Sequence, residues 1–283
     1  ADYTPNDPTI GAQYHISKIN SFGAWDVTKG DTTVLIGILD SGSDFNHPDL
    51  AANIKYNYAD IPGNSLDDDA NGYIDDYLGY DHGDGDPDPN CNNNHAATQQ
   101  NCAHGSHVSG CAAQVTDNGV NGAGIGFKCK LIISKHGKDD DFSAPGGQSY
   151  IYNSDQGFYY LSVRGAKVIN CSFGSGAPTG SQFTAVNFAY NNGAVICASS
   201  GNDGSNVLRY PAAYANVVCV AATNSADIKA SFSNYHDTVD VSAPGENVNS
   251  TYWNDTYAAL SGTSMSTPIT AGTVALIRTK YPS

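Results

Sequence analysis

Three side chains that lie far apart in the sequence have the types needed for acyl transfer: Asp40, His104 and Ser264. A serine hydroxyl becomes a nucleophile when an imidazole takes its proton, and a carboxylate can hold that imidazole in the required tautomer. Taken singly, each residue has an ordinary structural explanation as a turn carboxylate, an exposed histidine or a helix N-cap. Their placement on the predicted elements therefore has to distinguish the two interpretations.

Apolar, β-branched runs alternate along the chain with segments of helical character. The predicted strands lie within residues 32–42, 128–135, 166–175, 193–202 and 216–223, and the predicted helices within 103–115, 148–165, 181–193 and 263–282. Such alternation is typical of a parallel sheet with helices on both faces. We therefore predict an α/β, doubly wound, mainly parallel fold. Asp40 ends a strand in it, and His104 and Ser264 open helices, all at the edge where active sites form.

Segments around these residues resemble the signatures of the subtilisin-like serine proteases, or subtilases. They occur in the family's order as ILDSGSDFNHPDL (38–50), HGSHVSG (104–110) and SGTSMSTPITAG (261–272). Other matching segments are VINCSFGS (168–175), CASSGND (197–203), YPAAYANVVCVAAT (210–223) and ASFSNYHDTVDVSAPG (230–245). The resemblance covers nearly the whole chain and implies one subtilase catalytic domain over residues 1–283.

The resemblance assigns catalytic roles position by position. Ser264 would be the nucleophile, His104 the general base and acid, and Asp40 the carboxylate that orients the imidazole. Asn202 would donate to the oxyanion together with the backbone N–H of Ser264. His107, three residues after His104, could suggest a metal pair, but the chain has no HExxH motif, and we interpret His107 as structural.

The resemblance also implies the substrate cleft. Ser172, Phe173 and Gly174 would form one wall and bind an extended peptide as an added strand, and Ser199, Ser200 and Gly201 would form the other wall. Arg209 stands where the family often has a small residue at the far end of the pocket. We predict that Arg209 points outward; an inward Arg209 would narrow the pocket or favour an acidic side chain.

Two acidic segments predict structural Ca²⁺. The run DDDANGYIDDY (67–77) has oxygen ligands at alternate positions, like the first half of an EF-hand loop, although Leu78 stands where that motif has Glu. The expected ligands are Asp67, Asp69, Asn71, the Tyr73 carbonyl and Asp76, with Asp75 as an alternative. The run 81–90 is less regular, and a solvated loop is an equal alternative there.

A second Ca²⁺ site is implied by the resemblance. Asp49 matches a family ligand, and the turn 115–122 would supply Asp117 and Asn121, with a residue near Asp7 completing the site. That turn is one residue longer than usual. In either site the ion would act on stability, because it binds the folded state.

Composition narrows the class of protein. The net charge is −15, and of the 28 acidic residues only Glu246 is Glu. An Asp excess is typical of loops and hard-cation ligands, and the charge argues against nucleic-acid binding. The Asp/Asn-rich span at about 57–102 is interpreted as a structureless loop insertion rather than a domain boundary.

Seven cysteines leave at least one unpaired. Cys171, Cys197 and Cys219 lie in strand-like runs and are expected as buried thiols. A Cys91–Cys102 disulfide is predicted across the Asn-rich loop, with Cys111–Cys129 as a weaker possibility, and a loop disulfide indicates an extracellular setting.

The expected protein is therefore a secreted, monomeric endopeptidase that acts on proteins and peptides after loss of an N-terminal propeptide, without nucleic-acid or membrane partners. No apolar run is long enough to span a bilayer. The chain ends at TKYPS, soon after the serine helix. The segment after that helix is shorter than usual for the family.

Three rival functions fit the sequence less well. A sedolisin-like peptidase needs a catalytic Glu, but Glu246 follows a Pro-Gly pair in a loop. An α/β-hydrolase needs the G-x-S-x-G motif and the order Ser, acid, His. Here the serine stands in GTSMS (262–266), and the order is Asp, His, Ser. A Ca²⁺-dependent binding module on an inactive protease fold would have lost catalytic residues that are all present here.

Overall fold

A parallel sheet runs through the middle of the molecule. The computed structural model describes residues 2–90, 102–144 and 149–282. Within these ranges the sheet has seven strands in the order β2-β3-β1-β4-β5-β6-β7, and all neighbours pair in parallel. The strands are β1 (Leu35–Asp40), β2 (Tyr80–Asp81), β3 (Lys130–Lys135), β4 (Val168–Cys171), β5 (Val195–Ser199), β6 (Val217–Thr223) and β7 (Val241–Pro244).

Helices cover both faces of this sheet. They are α1 (Tyr14–Lys18), α2 (Ser21–Val27), α3 (Ala103–Ala113), α4 (Ser154–Val163), α5 (Gly180–Asn191) and α6 (Thr263–Lys280), with 3₁₀ turns at Ile10–Ala12 and Ala51–Asn53. None of the described helices is long and apolar enough to cross a membrane. A separate antiparallel hairpin, β8 (Val248–Tyr252) and β9 (Thr256–Leu260), precedes α6.

Two hydrophobic cores lie on opposite faces of the sheet. Ile36 and Ile38 of β1 pack into the core that contains residues of α3 and α6, whereas Leu39 packs into the core that contains residues of α4 and α5. The alternation follows from the two-residue period of a strand, and a strand covered on both faces has to be apolar throughout. The predicted doubly wound α/β class is confirmed.

The sequence-based prediction missed several elements. Strand β7 begins with exposed residues, β2 has only two residues, and the β8–β9 hairpin carries polar side chains on both strands. His107 of α3 binds carbonyls of both strands, and the hydroxyls of Ser250 and Thr251 donate to carbonyls of α3. Tertiary contacts therefore hold the hairpin.

The Asp/Asn-rich span is less structureless than predicted. Strand β2 lies within it, and Tyr56 and Tyr77 stack with ring centroids 5.3 Å apart at the base of the loop. Residues 91–101 lie outside the described part of the chain, so the Cys91–Cys102 disulfide stays a prediction. Cys171, Cys197 and Cys219 are buried free thiols as predicted, whereas Cys111–Cys129 pairing is wrong, because both residues are free.

Candidate active site

Strand β1 and helix α3 bring Asp40 and His104 together at the carboxyl edge of the sheet. Nδ1 of His104 lies 2.7 Å from Oδ1 of Asp40, which also accepts a hydrogen bond of 2.8 Å from the backbone N–H of Ser41. The Asp40 carboxylate is buried. Since Nδ1 faces a carboxylate, the proton of a neutral imidazole belongs on Nδ1, which leaves Nε2 free to accept a proton.

Gly105 makes this approach possible, and the sequence analysis did not assign it a role. A Cβ atom at Gly105 would lie 2.0 Å from the carbonyl oxygen of Gly42 and 3.2 Å from Oδ1 of Asp40. Any side chain would therefore push α3 away from the end of β1. The glycine directly after the candidate base was the signal that could have revealed this packing.

The charge of Asp40 controls the titration of His104. Burial by itself lowers the pKa of His104, but the Asp40 carboxylate and its hydrogen bond together outweigh burial, and the pKa is raised above its usual value of 6.5. A buried ion pair of this kind stabilises the imidazolium that forms during acyl transfer.

Ser264 lies in the first turn of α6, where its N–H has no intrahelical acceptor. Its hydroxyl donates a hydrogen bond of 3.0 Å to the carbonyl of Ser172, and the Ser172 hydroxyl donates one of 2.8 Å to the carbonyl of Ser264. The hydroxyl of Ser172 also accepts from the buried Asn170 amide at 3.0 Å. These bonds attach the start of α6 to the end of β4.

Asn202 follows β5 and faces the same helix end. Its Oδ1 accepts hydrogen bonds of 2.9 Å from the backbone N–H and the hydroxyl of Thr263. Because the oxygen is held in this way, the amide Nδ2 points to the other side. A Cβ atom at Gly262 would lie 3.5 Å from this Nδ2 and 3.6 Å from the backbone nitrogen of Ser264. Two N–H donors thus converge on one small space, as an oxyanion requires.

The two predicted cleft walls lie side by side. Strands β4 and β5 pair in parallel, and beyond their ends the hydroxyl of Ser199 donates to the carbonyl of Phe173 at 3.3 Å. A cleft of about 490 Å³ opens beside the Asp40–His104 pair and is lined by Phe173, Gly174 and residues of the segment 149–154. The guanidinium of Arg209 lies at the surface, where it binds Asp203.

His107 does not face this site. Its Nε2 lies 3.0 Å from the carbonyls of Val248 and Ala258, so the ring ties α3 to the hairpin. Burial lowers the pKa of His107 to about 4, which keeps the ring neutral. The geometry agrees with a structural role.

The first acidic loop brings several expected ligands together around two amides. Asn57 Nδ2 lies 2.9 Å from Asp69 and 2.5 Å from Asp76, and Asn71 Nδ2 lies 3.2 Å from both carboxylates. Asp67 accepts instead from the backbone N–H groups of Asn71 and Gly72. The two amides donate to the carboxylates here, and Arg164 also binds Asp76 at 2.9 Å. Carboxylate oxygens suit Ca²⁺, and Asn57, which the sequence analysis did not name, lies among them.

The carboxylate of Asp75 and the ring of Tyr73 make contacts elsewhere, and the Tyr73 carbonyl stays a predicted ligand. The carboxylate of Asp75 accepts from the backbone N–H groups of Asn64 and Ser65, both at 3.0 Å, and therefore closes the loop. The ring of Tyr73 packs against Tyr80 and other rings. We find no support for Asp75 as a ligand.

The second predicted Ca²⁺ site is assembled from partly different residues. Asp49 is buried and accepts hydrogen bonds of 2.7 Å from both Asn118 Nδ2 and Gln114 Nε2. Asp7 is also buried and accepts from the backbone N–H groups of residues 117 and 118. Asp49, Asp7 and Gln114 are therefore buried polar groups, and Asn118 joins them from an exposed position in the turn.

Asp117 and Asn121 point away from Asp49. The Asp117 carboxylate accepts from the hydroxyl of Tyr3 at 2.5 Å, and the side chain of Asn121 accepts from the hydroxyl of Thr9 at 2.7 Å. Both residues have positive φ, so the turn runs differently from the one assumed in the sequence analysis. Asn118, rather than Asp117 or Asn121, therefore lies beside Asp49.

A further acidic group lies beside β3. Among the His, Cys, Asp and Glu side chains of the described residues, one set of three lies close enough together to share a metal ion: Asp81, Asp84 and Asp139. The ammonium of Lys135 already binds Asp81 at 2.7 Å and also contacts Asp139. One protein cation thus already offsets part of the negative charge of this cluster.

Comparison with known proteins places this geometry in context. The model of the family described as "Subtilase family" matches residues 31–283. The chain is 37% identical over 276 residues to thermitase of Thermoactinomyces vulgaris, covering 97% of this chain and 85% of thermitase. It is 34% identical over 278 residues to the halolysin-like extracellular serine protease Nep of Natrialba magadii, covering 98% of this chain and 46% of Nep.

A solved structure is also similar. A protease from Pseudoalteromonas arctica PAMC 21717 matches with a TM-score of 0.76 and 31% identity, covering 98% of this chain and 87% of that protease.

Proposed function

This chain belongs to the subtilase family and is a serine endopeptidase, and from that premise we propose that it hydrolyses peptide bonds through Ser264, His104 and Asp40. The observation that carries the assignment is the 2.7 Å contact between His104 and Asp40 at the same sheet edge as Ser264. Asn202 belongs to the same machinery, because its amide nitrogen and the backbone nitrogen of Ser264 lie near the same point beside Gly262, where both could donate to one oxyanion.

The resting geometry defines the first step. The hydroxyl of Ser264 donates to the carbonyl of Ser172, so a rotation of its side chain is needed before Nε2 of His104 can take the proton. The oxygen then attacks the scissile carbonyl, and the oxyanion accepts from Asn202 Nδ2 and the Ser264 N–H. Loss of such a side-chain donor costs about 2.7–4 kcal/mol, a value measured on a subtilisin.

The same groups complete the cycle. His104 gives its proton to the leaving amine, which breaks the C–N bond and leaves the acyl group on Ser264. Water then attacks the ester while His104 again acts as the base. Asp40 stays ionised and stabilises the imidazolium in both halves of the reaction.

An extended peptide fits the walls of the cleft. Segments 172–174 and 199–201 continue past the ends of β4 and β5, and their backbone groups are available to pair with a substrate strand. Recognition through backbone groups accounts for broad protein substrates. The Phe173 side of the cleft gives room for side chains on the amino-terminal side of the scissile bond.

Structural Ca²⁺ is part of the proposal. The first site would draw its ligands from Asp67, Asp69, Asn71, Asp76 and the Tyr73 carbonyl, with Asn57 beside them, and its three carboxylates would have to close around the ion, since they do not lie within ligand distance of one another in this structure. The second would use the buried Asp49, Asp7 and Gln114 together with the exposed Asn118, since two buried carboxylates need a positive charge nearby. Bound Ca²⁺ would hold the loops in the folded state and slow self-digestion.

The remaining features follow from composition and relatives. The net charge of −15 disfavours nucleic-acid binding, and the relative Nep is named as extracellular. Secretion, a monomeric state, a cleaved propeptide and the Cys91–Cys102 disulfide are proposed on this basis.

Two serine variants test the catalytic assignment. A serine-directed phosphonate should label the wild type and Ser266→Ala but not Ser264→Ala, since Ser266 is buried and donates to the carbonyl of Ala243 at 2.9 Å. Peptidase activity should follow the label. A folded wild type that takes no label would instead support a Ca²⁺-dependent binding module.

A further inference from the structure

Arg209 lies at the far end of the crevice between the two cleft walls. Ser175 and Tyr210 form an antiparallel bridge with two backbone hydrogen bonds of 2.9 Å, which places Arg209 directly beside Gly174. On the opposite wall, the backbone of Gly201, which has φ +109°, lies against the side chain of Arg209. The crevice is the space where the proposed function would place the side chain before the scissile bond, the P1 residue.

The aliphatic stem of Arg209 fills the space between these glycines. A Cβ atom at Gly174 would lie 3.0 Å from Cβ of Arg209, and one at Gly201 would lie 2.7 Å from its Cγ. No side chain larger than hydrogen fits at Gly201 while the stem is there. The crevice is thus closed by methylene groups rather than open to solvent.

The charge of Arg209 is directed away from the crevice. Its Nε donates to Asp203 at 2.8 Å, and a second guanidinium nitrogen binds the other carboxylate oxygen. Asp203 is held in place by Asn234, whose Nδ2 donates to it at 3.0 Å and whose Oδ1 accepts from its backbone N–H at 2.9 Å. Two-point contact of this kind fixes the orientation of the guanidinium.

We propose that Arg209 and Asp203 together make this enzyme selective for small, uncharged P1 residues: the stem shortens the P1 pocket, and Asp203 cancels the charge that would otherwise attract acidic side chains. The proposal rests on the proposed peptidase function. It differs from both alternatives raised by the sequence, because the stem lies in the pocket while the guanidinium lies outside it.

Peptides that differ only at P1 test the idea, with Ala, Phe, Glu and Lys in turn. The wild type should have a higher kcat/KM for Ala than for Phe. Arg209→Gly should raise kcat/KM for Phe by about 10- to 200-fold, the range that pocket contacts give, while Ala changes little. Arg209→Met retains a stem of similar length and should keep the preference for Ala, which controls for the loss of the ion pair.

The role of Asp203 has its own test. Asp203→Asn leaves the guanidinium without a charged partner and should raise the kcat/KM of the Glu peptide relative to Ala. Asp227→Asn removes an exposed ion pair with Lys18 far from the cleft and should leave all ratios unchanged.

The outcomes separate the two proposals. A wild type that takes the phosphonate label but cleaves Phe as well as Ala, or an Arg209→Gly variant with unchanged ratios, overturns the specificity proposal alone. If the wild type takes no label and cleaves none of the peptides, the proposed function fails and the specificity proposal fails with it. If Arg209→Gly does not fold, Arg209→Ala gives the same comparison.

Discussion

At the scale of single residues, the chemistry depends on the pair formed by Asp40 and His104. The carboxylate is buried, and the imidazole is bound to it at 2.7 Å. Burial opposes the charged imidazole, yet the pKa of His104 is raised because the charge and the hydrogen bond of Asp40 together are stronger. The base is therefore tuned by one neighbour, and its titration should be visible in the kinetics.

We predict that kcat/KM rises with pH through a midpoint above 6.5. Protonated His104 cannot accept the proton of Ser264, and the raised pKa extends this inactive form to higher pH. Asp40→Asn should lower kcat about 10⁴-fold, because the amide favours the wrong tautomer. The measurement is kcat/KM for a chromogenic peptide between pH 5 and 9, and a midpoint below 6.5 in the wild type would contradict the prediction.

At the scale of elements, two histidines join the ends of neighbouring strands. His82 follows β2 and His136 follows β3, and their rings stack 4.7 Å apart. The hydroxyl of Ser134 lies 3.2 Å from His82 Nδ1 and 2.8 Å from His136 Nε2. Burial lowers the pKa of His82 to about 4 and that of His136 well below 6.5.

This stack predicts loss of stability in mild acid. A histidine with a lowered pKa in the folded state is protonated first in the unfolded chain, so the free energy of unfolding falls as the pH drops below 6.5. Each such histidine contributes a slope of up to about 1.4 kcal/mol per pH unit. Urea unfolding of Ser264→Ala, which cannot digest itself, should show this slope, and His82→Phe should reduce it. Equal slopes with and without the His82→Phe substitution would rule out the histidine stack as the source of the pH dependence.

Asp49 connects three elements, because Gln114 follows α3, Asn118 lies in the adjoining turn and Tyr257 belongs to β9. If Ca²⁺ binds there, EDTA should lower the melting temperature of the wild type. Saturation at 100 times the dissociation constant would contribute about 2.7 kcal/mol. Asp49→Asn should reduce the EDTA effect, whereas Asp227→Asn should not. No effect of EDTA on the wild type would count against both Ca²⁺ sites.

At the scale of the whole molecule, glycines allow the layers to come close enough to form the site. A Cβ atom at Gly272 of α6 would lie 2.8 Å from the carbonyl of Ala112 in α3, and one at Gly110 would lie 2.1 Å from the hydroxyl of Thr251 in β8. The first contact sets the distance between the helices that carry His104 and Ser264, and the second sets the distance between α3 and the hairpin. The sequence predicts close packing at Gly110 and Gly272, because each is a glycine within a helical run, and the structure confirms it and shows which element each one meets.

We predict that Gly272→Ala destabilises the protein by about 1–3 kcal/mol, because the added methyl group meets backbone atoms that cannot move aside. Gly180→Ala is the matched control, since nothing lies within 4 Å of the new methyl group. Urea unfolding in the Ser264→Ala background measures both. Equal stability of the two variants would show that the helices can separate without cost.

Much of the fold could be predicted because long apolar strands and helices carry their own pattern. The subtilase resemblance is confirmed, and the five predicted strands and four predicted helices all contain observed elements. The missed parts, which include α1, α2, β2, β7 and the β8–β9 hairpin, are short or polar, and the hairpin depends on contacts with His107. Local pattern cannot indicate a strand that is held by a side chain from another element.

The sequence by itself determined the reaction class, since Asp40, His104, Ser264 and Asn202 stand in motifs whose order and local context are specific. The tertiary structure decided which side chains meet: Asn118 rather than Asp117 beside Asp49, and the stem of Arg209 between Gly174 and Gly201. The physical reason is that a motif specifies backbone conformation over a few residues. The direction of a long or turn-borne side chain depends on packing and charge from segments far away in the chain.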